Sequence, residues 1–316
     1  MKWKKLGKVF DPTDHVLPNG CGEFAQSPQA LECDGFVRVF FSSRQRDPGN
    51  GKYLSHVCFA DFTKDFSRVL RVSDKPVIPL GKLGCFDEHG IFPLNVLRHD
   101  GRIFGYTSGW TRRVSVSVDT GIGLAFSHDD GLTFERIGDG PVLTASLHEP
   151  FLVGDPFVQV HGGVFHMWYI FGTQWKQFPG AQAPDRIYKI GHAISADGIR
   201  WTRQGARIVA DRIEDESQAL PTVVSIDDRH YMVFCYRESF DFRQTKGRGY
   251  RLGHAWSDDL LTWHRDDASI GIDVADEGWD SDMQCYPHLF RCDGKVYLLY
   301  NGNEFGRRGF GVAVLE

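Results

Sequence analysis

Carboxylates recur at one place in this chain. Five residues before Pro28, Pro93, Pro156, Pro221 and Pro287 stand Glu23, Glu88, Phe151, Glu216 and Asp282, so four of five positions carry an acid. Asp155 adds another immediately before Pro156, and Asp87, Glu149, Asp215 and Asp280 lie close by. The neighbours of these acids differ from one position to the next (GEFAQS, EHGIF, FLVGD, ESQAL, DMQCY), which favours a working cluster over a copied turn residue. Acids gathered at one opening repel each other, and their pKa values spread apart. One can then stay protonated as a proton donor while another is ionised as a base, the division of labour that splits a glycosidic bond. The alternative is a set of structural turn residues, or residues that hold water.

A second group accompanies the acids. The segments SSRQRDPGNGK, SGWTRRVS, FGTQWKQFPGAQAPDR, YRESFDFRQTKGRG and NGNEFGRRG are rich in arginine and aromatic residues, although the chain carries a net charge of −5. Arg44 and Arg237 each follow their proline by 16 residues. Trp110 and Trp175 offer flat faces for sugar rings. With His89, Gln218, Tyr286 and Asn301, these are the candidate substrate contacts. The ligand they suit is anionic or heavily hydroxylated. His89 and His288 sit near the expected channel, where either could bind substrate or an ion, although a packed or hydrogen-bonded histidine is the favoured reading. No HExxH or His-x-His spacing, glycine-rich phosphate loop or G-x-S-x-G elbow occurs, so neither a metal centre nor a cofactor is expected.

The elements that would position these residues follow from the same prolines, which are 63 to 66 residues apart. Each opens an apolar stretch, a polar turn and an aromatic-rich stretch, as in DPFVQVHGGVFHMWYIFG and YPHLFRCDGKVYLLYNGN. The turns Asp34-Gly35, Asp100-Gly101, Gly162-Gly163, Asp227-Asp228 and Asp293-Gly294 are hairpin chemistry. Proline suits the first residue of a strand. A later motif (GLAFSHDDGLTF, GHAISADGIRW, GHAWSDDLLTW, and a degenerate VCFADFTKDF) supplies a third strand, a tight turn and a fourth strand. Its Ser127–Phe134 form looks like the Asp-box turn of sialidases, so Asp129, Asp197 and Asp258 are set aside as structural. Four strands per unit and five units predict an all-β fold, a five-bladed β-propeller forming a single domain over residues 1–316. The last unit ends after its third strand. The N-terminal WKKLGKVF resembles the missing fourth and is expected to close the last blade, removing an open edge.

Composition narrows the classes further. The chain has 316 residues, 41% hydrophobic and 24% charged, which suits neither a membrane nor a disordered protein. The acidic balance argues against nucleic acid as a partner. No signal-type apolar segment or run of membrane-spanning length is present. The seven cysteines are odd in number and form no CxxC pair, which predicts reduced thiols and a cytoplasmic protein. Oligomeric state is left open.

The chain resembles the five-bladed propeller glycosidases, glycoside hydrolase families 43, 32 and 68, and the related mannoside phosphorylases. The resemblance rests on unit count and on Asp155-Pro156 followed by FVQVHGGVFHMWY. It implies that Asp155 orients a catalytic acid and tunes its pKa. The family's first-blade base falls where this chain reads Ala25-Gln26-Ser27-Pro28, and its acid where this chain reads Gln218-Ala219-Leu220-Pro221. The nearest substitutes are Glu216 as general acid and Glu23 as general base, with Glu88 and Asp282 binding hydroxyls or standing in for either. Two alternatives remain. One is a phosphorylase or transferase whose arginine rim holds phosphate or an activated sugar. The other is a non-catalytic glycan-binding propeller.

Overall fold

The computed structural model describes residues 1–316. The fold is nearly all β, as the aromatic and β-branched stretches require. β1 (Trp3–Phe10) is followed by a first array of β2 (Glu23–Cys33), β3 (Phe36–Arg46), β4 (Tyr53–Phe62) and β5 (Val69–Val72). A second holds β6 (Gly90–His99), β7 (Arg102–Arg112), β8 (Val118–Ser127) and β9 (Glu135–Arg136). The third holds β10 (Val153–His161), β11 (Val164–Lys176), β12 (Asp185–Ser195) and β13 (Thr202–Arg203). The fourth holds β14 (Glu216–Ile226), β15 (Arg229–Glu238), β16 (Arg251–Ser257) and β17 (His264–Arg265). The chain ends with β18 (Cys285–Cys292), β19 (Lys295–Asn301) and β20 (Phe310–Leu315). Each array is an antiparallel meander, and the first two are joined by one parallel bridge between Ser55 and Gly90. No helix is long and apolar enough to cross a membrane.

The expected use of the N-terminus holds. β1 pairs antiparallel with β20, from Trp3 opposite Leu315 to Phe10 opposite Phe310, and so supplies the fourth strand of the last sheet. First strands of successive arrays touch in the order β2, β6, β10, β14, β18 and back to β2. The main apolar clusters lie between arrays: Phe10, Phe41, Phe62 and Phe310 meet where the last array adjoins the first. The hairpin turns are as read: Asp100-Gly101, Gly162-Gly163 and Asp293-Gly294 each have two successive positive φ values, the signature of a type I′ turn.

The prolines do not open the strands. Each sits inside its array's first strand, at a shift of register: between Gln26 and Gln29, Ile91 and Leu94, Gly154 and Phe157, Ala219 and Thr222, Cys285 and His288. A proline is tolerated there because the first strand is an edge and the bulge needs no ladder N–H. The residue before the proline is turned out of the pleat. Ser27, Asp155, Leu220 and Tyr286 have φ of 53°, 51°, 49° and 56°, and Phe92 precedes a cis Pro93.

The repeated acids have a structural purpose. Asp87 pairs with Arg136 of β9, Glu149 with Arg203 of β13 (2.6 Å), Glu216 with Arg265 of β17 (2.6 Å), and Asp280 with Lys5 of β1 (2.7 Å). All four carboxylates are buried. Each ties the segment entering an array's first strand to that array's fourth strand. The first array instead buries Asp61 between Arg38 and Arg71. The Asp-box turns are also structural: the Asp129 carboxylate accepts from Thr133 N (2.8 Å), Thr133 Oγ1 (2.6 Å) and Ser127 Oγ (2.9 Å). Asp197 does the same in its turn. In the third turn the work falls to Asp259, while Asp258 pairs with Arg229 at the surface.

Candidate functional site

Residues from all five arrays line a cavity of about 260 Å³ at the mouth shared by the starts of the first strands. Its wall is aromatic and cationic: Tyr53, Trp110, Tyr188, Tyr250 and Tyr286 alternate with Arg44, Arg186 and Arg243. Asp155 is its one carboxylate.

Asp155 reaches the cavity because of the bulge before Pro156. Its backbone N–H donates to Ser108 Oγ (3.2 Å), and its Oδ2 accepts from Leu220 N (3.3 Å), so the residue is held from the arrays on both sides. Burial removes the water that would stabilise an anion. The carboxyl is therefore pushed up to about 7, against the pull of the Leu220 N–H and the more distant Arg186. Near neutrality it can carry a proton and release it.

The arginines are poorly neutralised. Arg44 lies over Phe24 (4.4 Å to the ring centre) and Tyr53 (5.4 Å), and its Nε has no partner. Burial lowers its pKa, as it lowers that of Arg243, where Arg186 and Arg237 add repulsion. Arg186 donates to Ser117 Oγ (3.2 Å), with Asp185 at 3.9 Å. A cationic wall with so few carboxylates has the chemistry to hold an anion. Trp110 presents its indole beside Gly90, where a Cβ would fall 2.2 Å from its Nε1 and displace the ring. His89 stacks on Trp110 (5.9 Å between centres) and lines the adjoining outer groove with Glu88.

The expected ring of acids does not converge. Glu216 is withdrawn: its carboxylate meets Arg265, Gln218 Nε2 (2.8 Å) and Arg212 N (3.0 Å), and it does not line the cavity. It is not placed to donate a proton into the cavity. Glu23 pairs with Arg307 (2.7 Å) at the rim, in a groove that shares Arg44 and Tyr53 with the cavity. Glu88 accepts from Gly84 N (2.9 Å) in the outer groove. Asp282, whose backbone N–H donates to Asn303 Oδ1 (2.7 Å), stands outside the cavity lining.

Of the expected substrate contacts, Arg44, Trp110 and Tyr286 line the cavity. Arg237 is buried behind Tyr188, to whose hydroxyl it donates (3.1 Å). Trp175 packs beneath Arg186, 5.9 Å from the guanidinium. Gln218 braces Glu216, and Asn301 joins the last array to the first by accepting from Ser27 N (2.8 Å) and donating to Ala25 O (2.8 Å). These two hold the frame. His288 is buried at the opposite opening, with Arg98, His161 and Arg291. Sequence reasoning missed Arg186, Tyr188, Arg243 and Tyr250. The Arg186-x-Tyr188 alternation on a strand was the available signal, since residues two apart share a face.

No family model matches the chain. Over 319 residues, covering all of both proteins, it is 34% identical to "Uncharacterized protein Rv1502" of Mycobacterium tuberculosis. A "Beta-1,2-mannobiose phosphorylase" of Thermoanaerobacter sp. is 29% identical over 140 residues, 40% of this chain and 43% of that protein. Among solved structures, the RGII complex of BT0996 superposes with a TM-score of 0.72 at 18% identity, covering 99% of this chain and 92% of that one. A thermostable family-43 glycoside hydrolase gives 0.64 at 13% identity, with 92% and 88% covered. The fold is thus that of the propeller glycoside hydrolases.

Proposed function

The chain belongs to the family of Mycobacterium tuberculosis Rv1502, and we propose that it is a carbohydrate-active enzyme that cleaves a glycosidic bond with phosphate, its five arrays forming the blades of one closed ring over residues 1–316. The cyclic contact order of the first strands supports the ring. The observation that carries the reaction is the cavity's content: one carboxyl poised near neutrality, in a wall with three arginines of which only Arg186 forms an ion pair, with Asp185 at 3.9 Å. Hydrolysis by paired carboxylates needs a second acid at the bond. Here a bound anion takes that place.

The protonated Asp155 donates to the glycosidic oxygen as the bond to the anomeric carbon breaks. Hydrogen phosphate, held by Arg44, Arg186 and Arg243, attacks that carbon and forms a new carbon–oxygen bond. Its proton returns to the Asp155 carboxylate, so the products are a sugar phosphate and a free alcohol. The Arg forks suit a tetrahedral oxyanion, and the aromatic wall suits a single sugar ring. The partial likeness to a β-1,2-mannobiose phosphorylase supports a β-linked mannoside as the first substrate to try.

The test is turnover of β-1,2-mannobiose and related disaccharides with and without phosphate, for the wild type and Asp155→Asn. Sugar phosphate should form only with phosphate, and the variant should lose at least about 100-fold in rate. Equal cleavage without phosphate would refute the proposal.

A further inference from the structure

Behind the arginine wall stands a polar group that the reaction just described does not use. Arg237 is almost wholly buried, stacked on Phe242 with its guanidinium carbon 3.4 Å from the ring centre. Its Nη1 donates to Glu238 O (2.9 Å) and its Nη2 to the Tyr188 hydroxyl (3.1 Å). The hydroxyls of Tyr188 and Tyr250 share a hydrogen bond, and both tyrosines line the cavity. Arg237 is also within hydrogen-bonding reach of the Tyr250 hydroxyl, and neither hydroxyl has an acceptor in the protein besides the other.

A guanidinium only donates, so the Tyr188 oxygen accepts from Arg237. Two phenols bring two O–H protons, and the bond between them uses one. If Tyr188 donates to Tyr250, the Tyr250 proton is free; if Tyr250 donates to Tyr188, the Tyr188 proton is free. Either way one O–H remains, with no acceptor in the protein. A buried donor left unpaired is costly. The acceptor it can meet is whatever fills the cavity, beside Arg186, two residues before Tyr188 on the same strand face, and Arg243.

We propose that Tyr188 and Tyr250 act as one unit that delivers a single phenolic O–H to the anion in the cavity, with Arg237 positioning and polarising the pair. This rests on the phosphate reading of the same cavity. A cation donating to one end of a hydrogen-bonded chain strengthens the donor at the other. The pair thus adds a directed neutral donor to the arginines' charge, which favours an oxyanion with several acceptor oxygens over a halide.

The test is calorimetric affinity for inorganic phosphate in the wild type, Tyr188→Phe, Tyr250→Phe and the double variant. Each single variant keeps one hydroxyl that can turn to the anion, so each should lose less than about 2-fold, whereas the double variant should lose about 10-fold or more, well beyond the product of the single losses. Losses that merely multiply, or an unaffected double variant, would overturn the pairing. Phenylalanine preserves the ring packing. Should the double variant nonetheless fail to fold, the wild type gives a second reading: phosphate should shift the ζ-carbon resonances of isotope-labelled Tyr188 and Tyr250 together, and unmoved resonances would overturn it. Arg243→Ala separates the two ideas. If it abolishes phosphate binding while the tyrosine variants change nothing, the pair has no such role and the anion site stands. If the wild type binds no phosphate, both fall.

Discussion

The Glu216 carboxylate and the Arg265 guanidinium meet at 2.6 Å, their side chains 0% and 4% exposed, between the first and fourth strands of one array. Glu149–Arg203, Asp87–Arg136 and Asp280–Lys5 repeat that relationship in three other arrays. The buried acids that stand five to seven residues before four of the prolines are therefore clasps. An ion pair this deep is maintained because removing one partner strands the other charge.

Glu216→Gln should accordingly act on stability. Asp267 remains beside Arg265 (3.0 Å) and offsets part of the loss. We expect a cost of about 3 kcal/mol in denaturant unfolding, with turnover per folded molecule within about twofold of wild type. A variant of native stability that has lost turnover would restore Glu216 to the chemistry.

Asp155 predicts a pH dependence of opposite character. Its carboxyl titrates near 7 in the fold, because burial disfavours the anion, and near 3.8 in the open chain. Between those values the unfolded chain releases its proton while the fold keeps it. The stabilisation is complete below the unfolded value, is lost as pH rises to about 7, and is constant above. Asp155→Asn has no proton to lose, so its melting temperature should gain on the wild type across that window, by on the order of 4 kcal/mol in stability at the alkaline end. Proton donation by Asp155 likewise predicts turnover that declines above about pH 7. A flat difference between the two proteins would contradict the burial of this group.

The N-terminal strand should be indispensable. Removing residues 1–10 unpairs β20, takes away buried Trp3 and Phe10 and leaves Asp280 without Lys5. An open strand edge of this kind invites aggregation. We expect insoluble protein on expression, rescued when Trp3–Phe10 is fused after Glu316 through a flexible linker. Soluble, fully active truncated protein would contradict the pairing.

The strand plan was legible because hairpin turns and alternating apolar residues are local signals. The closing role of Trp3–Phe10 could be read from its likeness to other fourth strands. The site was legible only at Asp155, Arg44, Trp110 and Tyr286. Position five before each proline held a regularity, but only its Glu216 is a buried clasp; the other clasps, Asp87, Glu149 and Asp280, stand six or seven residues before their prolines. The pre-proline residue lines the cavity in three arrays, as Phe92, Asp155 and Tyr286. There Ser27, Phe92, Asp155, Leu220 and Tyr286 share no chemistry, so no repeated residue type marks it. Arg243 comes from a loop and joins Arg186 only through the fold, so spacing in the chain could not pair them.

The central claim is that phosphate, and not water, receives the sugar released by Asp155. It is tested most directly by running the cleavage in heavy-oxygen water with ordinary phosphate and weighing the products. The account predicts a glycosyl phosphate, with no heavy oxygen in the released sugar. A free sugar carrying heavy oxygen at its anomeric carbon, formed at the same rate without phosphate, would contradict it.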